Sequence, residues 1–411
     1  MNWFIIIPIA LTLGHLYTLI LHIVQARSAD NPVPENVSDV YDGETYIKWK
    51  SYNKETSRFA IIITCLQWAL SMALLLSGAY SAFADLFPGN VFMQLLAVVL
   101  LDSGASFILD IFTQYYGSMV IEEKYGFNKC TVKTFIFDRL RSLILGLVLS
   151  VALSYLLATI HMAVGDWLVL IFALVMFVIT LLISFLFPVL NRLGNKFTPL
   201  EEGELRDRLM ELLTRHGYRV KDIKVMDASR RTTKLNAYFA GFGKLKTIVL
   251  YDNLVNAMTA DEICAVFSHE LGHGLHKDVL KRQIMNFGNL LIMGLLVWLV
   301  VKAPEMHTAF GFEGVNYGFA YIVLSAFLGL IQPLTGMLMN AYSRFAEYRA
   351  DRQAVKEGYG PYLAAGLKLL AKENFAHLAP NKALVVLQYT HPPLHLRIAA
   401  IEKALEESES K

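Results

Sequence analysis

Charge is scarce in this chain. Of 411 residues only 18% are Asp, Glu, Lys or Arg, below the roughly 25% of an average soluble domain, and the mean hydropathy is +0.44. A wholly soluble protein of this size is excluded, so most of the chain must face lipid or line a membrane assembly. The formal net charge is +2, which removes the global electrostatic footprint of a nucleic-acid binder. Cysteine is rarer still. Cys65, Cys130 and Cys264 are scattered, odd in number and form no CxxC pair, so neither a disulfide framework nor a thiolate metal site is expected. Internal repeats and low-complexity linkers are also missing. No basic residue precedes the first apolar run, which is longer than a signal-peptide core, so it is expected to stay as a membrane helix.

What is present is a set of seven long apolar runs, at 4–24, 59–83, 91–116, 143–164, 167–190, 287–301 and 319–339. Most reach the roughly 20 residues needed to cross the hydrocarbon core. The sixth is short, unless its helix starts earlier, through Val279 and Ile284. Loop charge alternates. Arg27, Lys48, Lys50, Lys54 and Arg58 follow the first run, and Lys124, Lys129, Lys133, Arg139 and Arg141 follow the third, whereas the turns at 85–90 and 165–166 carry no basic residue. With seven spans this puts the N-terminus outside and the last third of the chain at the cytoplasmic face. In the third run Asp102, Ser106, Asp110 and Gln114 recur every four residues and form a polar stripe that must meet protein or water rather than lipid. One reading pairs it with a basic or hydroxyl group on a neighbouring helix; the other makes it the wall of a water-filled cavity.

From 191 to 285 the composition becomes that of a soluble α+β segment. Thr198-Pro199-Leu200-Glu201 reads as a capping box that opens a helix with the stripe Leu205, Leu209, Leu212, Leu213, stopped by Gly217. Short strands are expected at 223–226 and 247–250, with Asn236, Ala237, Tyr238 and Phe239 between them and a turn at Gly241 and Gly243. The chain thus divides into 1–190, with five membrane helices; 191–285; 286–341, with helices six and seven; and 342–411, ending in a frayed polar tail over 406–411.

Ser268-His269-Glu270-Leu271-Gly272-His273-Gly274 carries the chemistry. Thr259-Ala260-Asp261-Glu262 reads as a capping box just before it, and Ile263, Val266 and Phe267 recur at helical spacing. On a helix the two imidazoles project from one face and grip one metal ion, with Glu270 beside them as general base. A catalytic zinc takes three protein ligands. Glu347 is chosen as the third because it lies just beyond run seven on the same membrane side, and Asp351, one turn later, is placed to accept a hydrogen bond from a ligand histidine. The competing reading pairs Glu347 and Asp351 with Arg344 and Arg349 on a solvated helix.

Beyond these residues the sequence resembles the integral-membrane zinc metalloproteases of the type 1 CaaX prenyl protease group. The similar stretches are EEKYGFNKCT at 122–131, FTPLEEGELRDRL at 197–209, NAYFAGFGKLKTIVLYD at 236–252, the HELGH site, RFAEYRAD at 344–351 and HPPLHLR at 391–397. The resemblance implies a mainly α fold, a seven-helix membrane barrel around a hydrophilic chamber with a small α+β catalytic domain on the cytoplasmic side. It implies one Zn2+ on His269, His273 and Glu347, a peptide substrate bound along Asn236, Ala237, Tyr238 and Phe239, and support of the reacting carbonyl by His391 and Arg397. The expected partners are membrane lipid and a peptide or protein, lipidated or not, cut near its C-terminus. The short loop between runs six and seven is similar to bacterial members, which points to a bacterial inner membrane, or to the ER membrane for a eukaryotic source. Two alternatives stand: a quality-control protease of membrane proteins, and a transporter in which HELGH is incidental.

Overall fold

The computed structural model describes residues 1–191, 195–240 and 245–410. The first half is helical: α1 (Trp3–Ser28), α2 (Gly43–Leu76), α3 (Ala79–Ala84), α4 (Val91–Tyr115), α5 (Val132–Val164) and α6 (Leu168–Asn191). Three of these start on side-chain caps. Asp42, Asn90 and Thr131 each accept a hydrogen bond from the backbone N–H three residues on, which satisfies a donor that the helix leaves unpaired. The second apolar run is not one helix through Phe83. Gly78 takes φ +73, a left-handed conformation that glycine adopts freely, and α3 restarts beyond it. α4 continues as a π turn over Tyr116–Glu122.

Among the described residues, six stretches are long and apolar enough to cross a membrane. One of them, Val132–Ser184, holds α5 and α6 with the tight turn Gly165–Trp167 between them, so runs four and five share it. The short sixth run does begin earlier, since α10 covers Asp278–Val301. The helical bundle packs around Phe319, which is fully buried among Tyr80, Phe310 and Phe312. In the polar stripe of α4, Asp102 accepts a hydrogen bond from the Tyr80 hydroxyl at 2.7 Å, the structural pairing, while Asp110 and Gln114 are exposed.

The sheet consists of β1 (Phe197–Pro199), β2 (Arg219–Met226), β3 (Ala237–Ala240) and β4 (Leu245–Tyr251), with α7 (Glu204–Arg215) between β1 and β2. Its order is β1-β2-β4-β3, with β2 parallel to β4 and the outer strands antiparallel. The helix expected to start at Thr198 starts instead at Glu204. Thr198 and Pro199 pair with Val225 and Lys224, and Leu200 N–H donates to the Ile223 carbonyl; a proline fits this edge position because it owes the ladder no N–H. Gly217 does end α7, at φ +70. The expected turn at Gly241 and Gly243 lies outside the described residues.

After α8 (Asp252–Ala257), the metal-motif helix α9 spans Ala260–Leu275 and opens on the Thr259–Glu262 capping box, both halves formed. α10 follows, then α11 (Pro304–Thr308), the 40-residue α12 (Tyr317–Lys356), α13 (Gly360–Glu373), α14 (Lys382–Gln388) and α15 (Leu394–Glu409). The boundaries drawn at 285/286 and 341/342 therefore fall inside α10 and α12. The end of the chain is helical through Glu409 rather than frayed from 406.

α9 crosses α12 closely at Gly272, where an added Cβ would lie 2.9 Å from the Ala350 Cα and 3.0 Å from the Gln353 Cβ. Gly272→Ala is expected to cost about 1–3 kcal/mol through overpacking, read as a lower thermal midpoint of the purified protein. An unchanged midpoint would contradict so close a crossing.

Candidate metal centre

Four residues along α9 advance the chain by slightly more than one turn, so His269 and His273 sit one above the other with ring centroids 4.9 Å apart. α12 delivers Glu347 against them. Its Oε2 is 3.4 Å from His269 Nε2 and its Oε1 is 3.3 Å from His273 Nε2; ligand atoms of all three lie within 4.8 Å of one another. Two donors bound tetrahedrally at 2.0–2.1 Å stand about 3.3 Å apart, which is the length of the two edges that run from the imidazoles to Glu347. The Glu347 side chain is buried, and its Oε2 has no hydrogen-bond partner among the described residues. A buried carboxylate oxygen of this kind is costly without positive charge beside it, which Arg397 Nη1 at 3.4 Å supplies in part.

The remaining imidazole nitrogens are tied to carboxylates. His269 Nδ1 donates to Asp351 at 2.8 Å and His273 Nδ1 donates to Asp278 at 3.0 Å. An ionised carboxylate only accepts, so Nδ1 holds the proton of each neutral imidazole and Nε2 is the nitrogen that a metal would take. Asp351 in turn takes two hydrogen bonds from Arg397, from Nε at 2.9 Å and Nη2 at 2.6 Å. Asp278 accepts from the Tyr342 hydroxyl at 2.8 Å and from Arg349.

Asp278 was absent from the residues singled out in the sequence. It reaches His273 because Lys277 takes φ +55 and folds the start of α10 back on α9. A positive φ at a lysine leaves no mark in composition or periodicity. The solvated-helix reading of Arg344 and Arg349 fails. Arg349 pairs with Asp278, and Arg344 donates to the carbonyls of Val385 and Tyr389, which anchors the segment leading to His391. The His391 side chain is 63% exposed with Nε2 3.4 Å from Glu347 Oε1, so it stands at the open side of the triangle. Arg397 is buried, with Nε and Nη2 taken by Asp351 and Nη1 3.4 Å from Glu347 Oε2.

Glu270 is half-buried and lines a small apolar recess with Ala237, Leu254 and Phe267. Ala237 opens β3, the last strand of the sheet, which pairs only with β4 among the described residues. The outer backbone groups of Ala237, Tyr238 and Phe239 thus border the side of the site that holds Glu270. Asn236 is exposed, and its carbonyl accepts from Tyr251 N–H at 3.1 Å.

Burial works against a proton on His269, but the carboxylates of Asp351 and Glu347 beside it outweigh that and raise the pKa to about 9. Below that pH an incoming metal must displace this proton, so affinity falls as pH falls. Metal titrations of the stripped protein are expected to weaken by about tenfold for each pH unit between 8 and 6, and a pH-independent affinity would contradict the assignment. Asp278→Asn and Asp351→Asn are each expected to lower metal affinity by about 10–100-fold; if only the Asp351 variant does so, Asp278 has no part in holding His273.

Residues 22–192 match the family model described as the CAAX prenyl protease N-terminal region with five membrane helices, and residues 199–405 match Peptidase family M48. The chain is 30% identical over 415 residues to a CAAX prenyl protease 1 homolog of Oryza sativa subsp. japonica, covering 97% of each protein. It is 29% identical over 417 residues to CAAX prenyl protease 1 of Saccharomyces cerevisiae, covering 93% of this chain and 91% of the yeast protein. The crystal structure of S. mikatae Ste24p superposes with a TM-score of 0.91 at 27% identity over 98% of this chain and 99% of that one. Likeness of this extent, over membrane helices and metal motif alike, means that the chain belongs to the CAAX prenyl protease 1 group of peptidase family M48 and is an integral-membrane metalloprotease.

Proposed function

We propose that this chain is a zinc endopeptidase that cuts membrane-associated polypeptides of the CaaX type near their C-terminus. The observation that carries this reading is the triangle of His269, His273 and Glu347 with Glu270 beside an edge strand. Zinc fits that triangle and, when bound, supplies Lewis acidity toward water and toward a peptide carbonyl. Glu270 takes the proton of the attacking water and returns it to the leaving amine nitrogen. His391, exposed at the open side, donates to the carbonyl oxygen as negative charge gathers there. Arg397 has two nitrogens committed to Asp351, which favours a positioning role over direct support of the carbonyl, the role first expected of it.

A substrate peptide adds as an antiparallel or parallel strand to Asn236, Ala237, Tyr238 and Phe239, held mainly through its backbone. Seven helices, counting α5 and α6 separately across the turn at Gly165–Trp167, surround a hydrophilic chamber that the site faces. Exposed polar groups on α4, Asp110 and Gln114, support such an interior. The basic loops support a site at the cytoplasmic face, of a bacterial inner membrane or of the ER. Residues 1–190 serve as the membrane region, and 191–285 with 342–411 serve as the catalytic unit, joined by the helices between them. For CaaX-type substrates the support is the name of the relatives, CAAX prenyl protease 1.

Glu270→Gln is expected to keep one zinc per chain and to lower kcat for peptide cleavage by about 100-fold or more; wild-type turnover in this variant would remove Glu270 as the base. With the wild-type protein, a farnesylated CaaX peptide is expected to be cleaved with a higher kcat/KM than an unfolded membrane protein. The reverse order would favour the quality-control reading.

A further inference from the structure

Away from the metal centre, the first turns of α5 and the segment 226–232 enclose a cavity of about 420 Å³. Among the described residues its charged lining is Arg139, Arg141, Arg231 and one carboxylate, Asp138; Arg141 has a partner of its own. Arg231 is engaged, with Nε 3.3 Å from Asp138 Oδ2 and Nη1 donating to Asn195 at 2.7 Å. Arg139 is not fully engaged. Its Nε is buried with no hydrogen-bond partner among the described residues, and its guanidinium lies 5.7 Å from the Phe135 ring centroid. A cytoplasmic loop rich in arginine is ordinary for a membrane protein. An arginine at the wall of a cavity with a buried unpaired N–H, as Arg139 has, is stabilised by an anion that enters beside it.

The height of the cavity identifies that anion. α5 has 33 residues, about 50 Å of helix, against a hydrocarbon core of about 30 Å, so roughly its first dozen residues stand clear of the core. Its apolar run begins at Leu143, one turn after Arg139, which puts the guanidiniums at the level of lipid headgroups. The floor of the cavity is Leu145, 48% exposed, and Ile144 and Val148 beside it are 60% and 63% exposed. Polar walls that suit an anion thus stand directly over apolar side chains open to acyl chains. We propose that this cavity binds the phosphate of an anionic membrane phospholipid, with Arg139 and Arg141 receiving it and Arg231 closing the far side.

The site also has a mechanical link to the catalytic sheet. Lys129 N–H donates to the Arg231 carbonyl at 3.1 Å, and Thr233 N–H donates to the Phe127 carbonyl at 3.4 Å, so the loop before α5 is stitched to the segment that runs on to β3. A lipid phosphate held by both walls braces that segment against the membrane.

The test is native mass spectrometry of the full-length, zinc-loaded, delipidated protein in uncharged detergent, titrated with phosphatidylglycerol, with phosphatidylcholine, or with phosphatidylglycerol in the presence of inorganic phosphate. The wild type is expected to retain one more equivalent of phosphatidylglycerol than the Arg139→Gln, Arg141→Gln double variant. It should hold that equivalent at least tenfold more tightly than phosphatidylcholine, and equimolar inorganic phosphate should not displace it. Ser142→Glu, which puts a carboxylate on the cavity wall, should lose the same equivalent while keeping one zinc per chain, and it carries the test if the double variant loses its zinc. Equal retention of the two lipids, or full retention by a zinc-loaded variant, overturns the proposal. Displacement by inorganic phosphate assigns the cavity to a soluble phosphate and overturns the lipid.

Discussion

A carboxylate buried between two imidazoles is the constraint around which this molecule is arranged. Glu347 meets both metal-facing nitrogens of the HELGH helix at 3.3–3.4 Å, and the outer nitrogen of each imidazole is held by a further buried carboxylate, Asp351 or Asp278. Three acidic groups packed this closely are unfavourable unless positive charge interleaves them. Arg397 lies between Asp351 and Glu347, and Arg349 covers Asp278. Among the described residues, the group of side chains that could hold a metal ion is the triangle of His269, His273 and Glu347. That is why the same residues that look expensive as a folding problem are intelligible as a metal centre.

Geometry of this precision requires helices that do not yield, and the membrane helices supply them. α12 runs unbroken for 40 residues, so Glu347 and Asp351 project from the extension of an apolar span and inherit its rigidity. α10 begins at Asp278, where a carboxylate is also favoured by the helix dipole. Both imidazoles of the HELGH motif are therefore oriented by carboxylates on helices that belong to the bundle. The close approach of α9 to α12 at Gly272 completes the link. A catalytic centre built in this way cannot be separated from the membrane region as an independent domain, and boundaries drawn from composition cut through both connecting helices.

Much of this was legible in the residues, for identifiable reasons. The pitch of a helix fixes the facing of His269 and His273, and a threonine followed three residues later by glutamate marks where α9 begins. Glu347 and Asp351 were legible because a motif already demanding a third ligand and an orienting carboxylate narrowed the choice to acids on the same membrane side. What escaped depends on tertiary placement. Asp278 meets His273 only through a left-handed lysine. Thr198 has the local pattern of a helix cap, yet its backbone pairs with Val225 of β2. Gly78 interrupts an apolar run whose hydropathy gives no sign of it. The two hydrogen bonds that Arg397 gives to Asp351 likewise leave no mark at its sequence position.

The central claim is that one metal ion sits among these three side chains. An anomalous difference map collected at the zinc absorption edge from crystals of the zinc-loaded protein tests it most directly. The account predicts a single strong peak about 2.0–2.2 Å from His269 Nε2, His273 Nε2 and a Glu347 oxygen. A peak elsewhere, or one that touches the imidazoles while Glu347 stays bound to Arg397 alone, would contradict it.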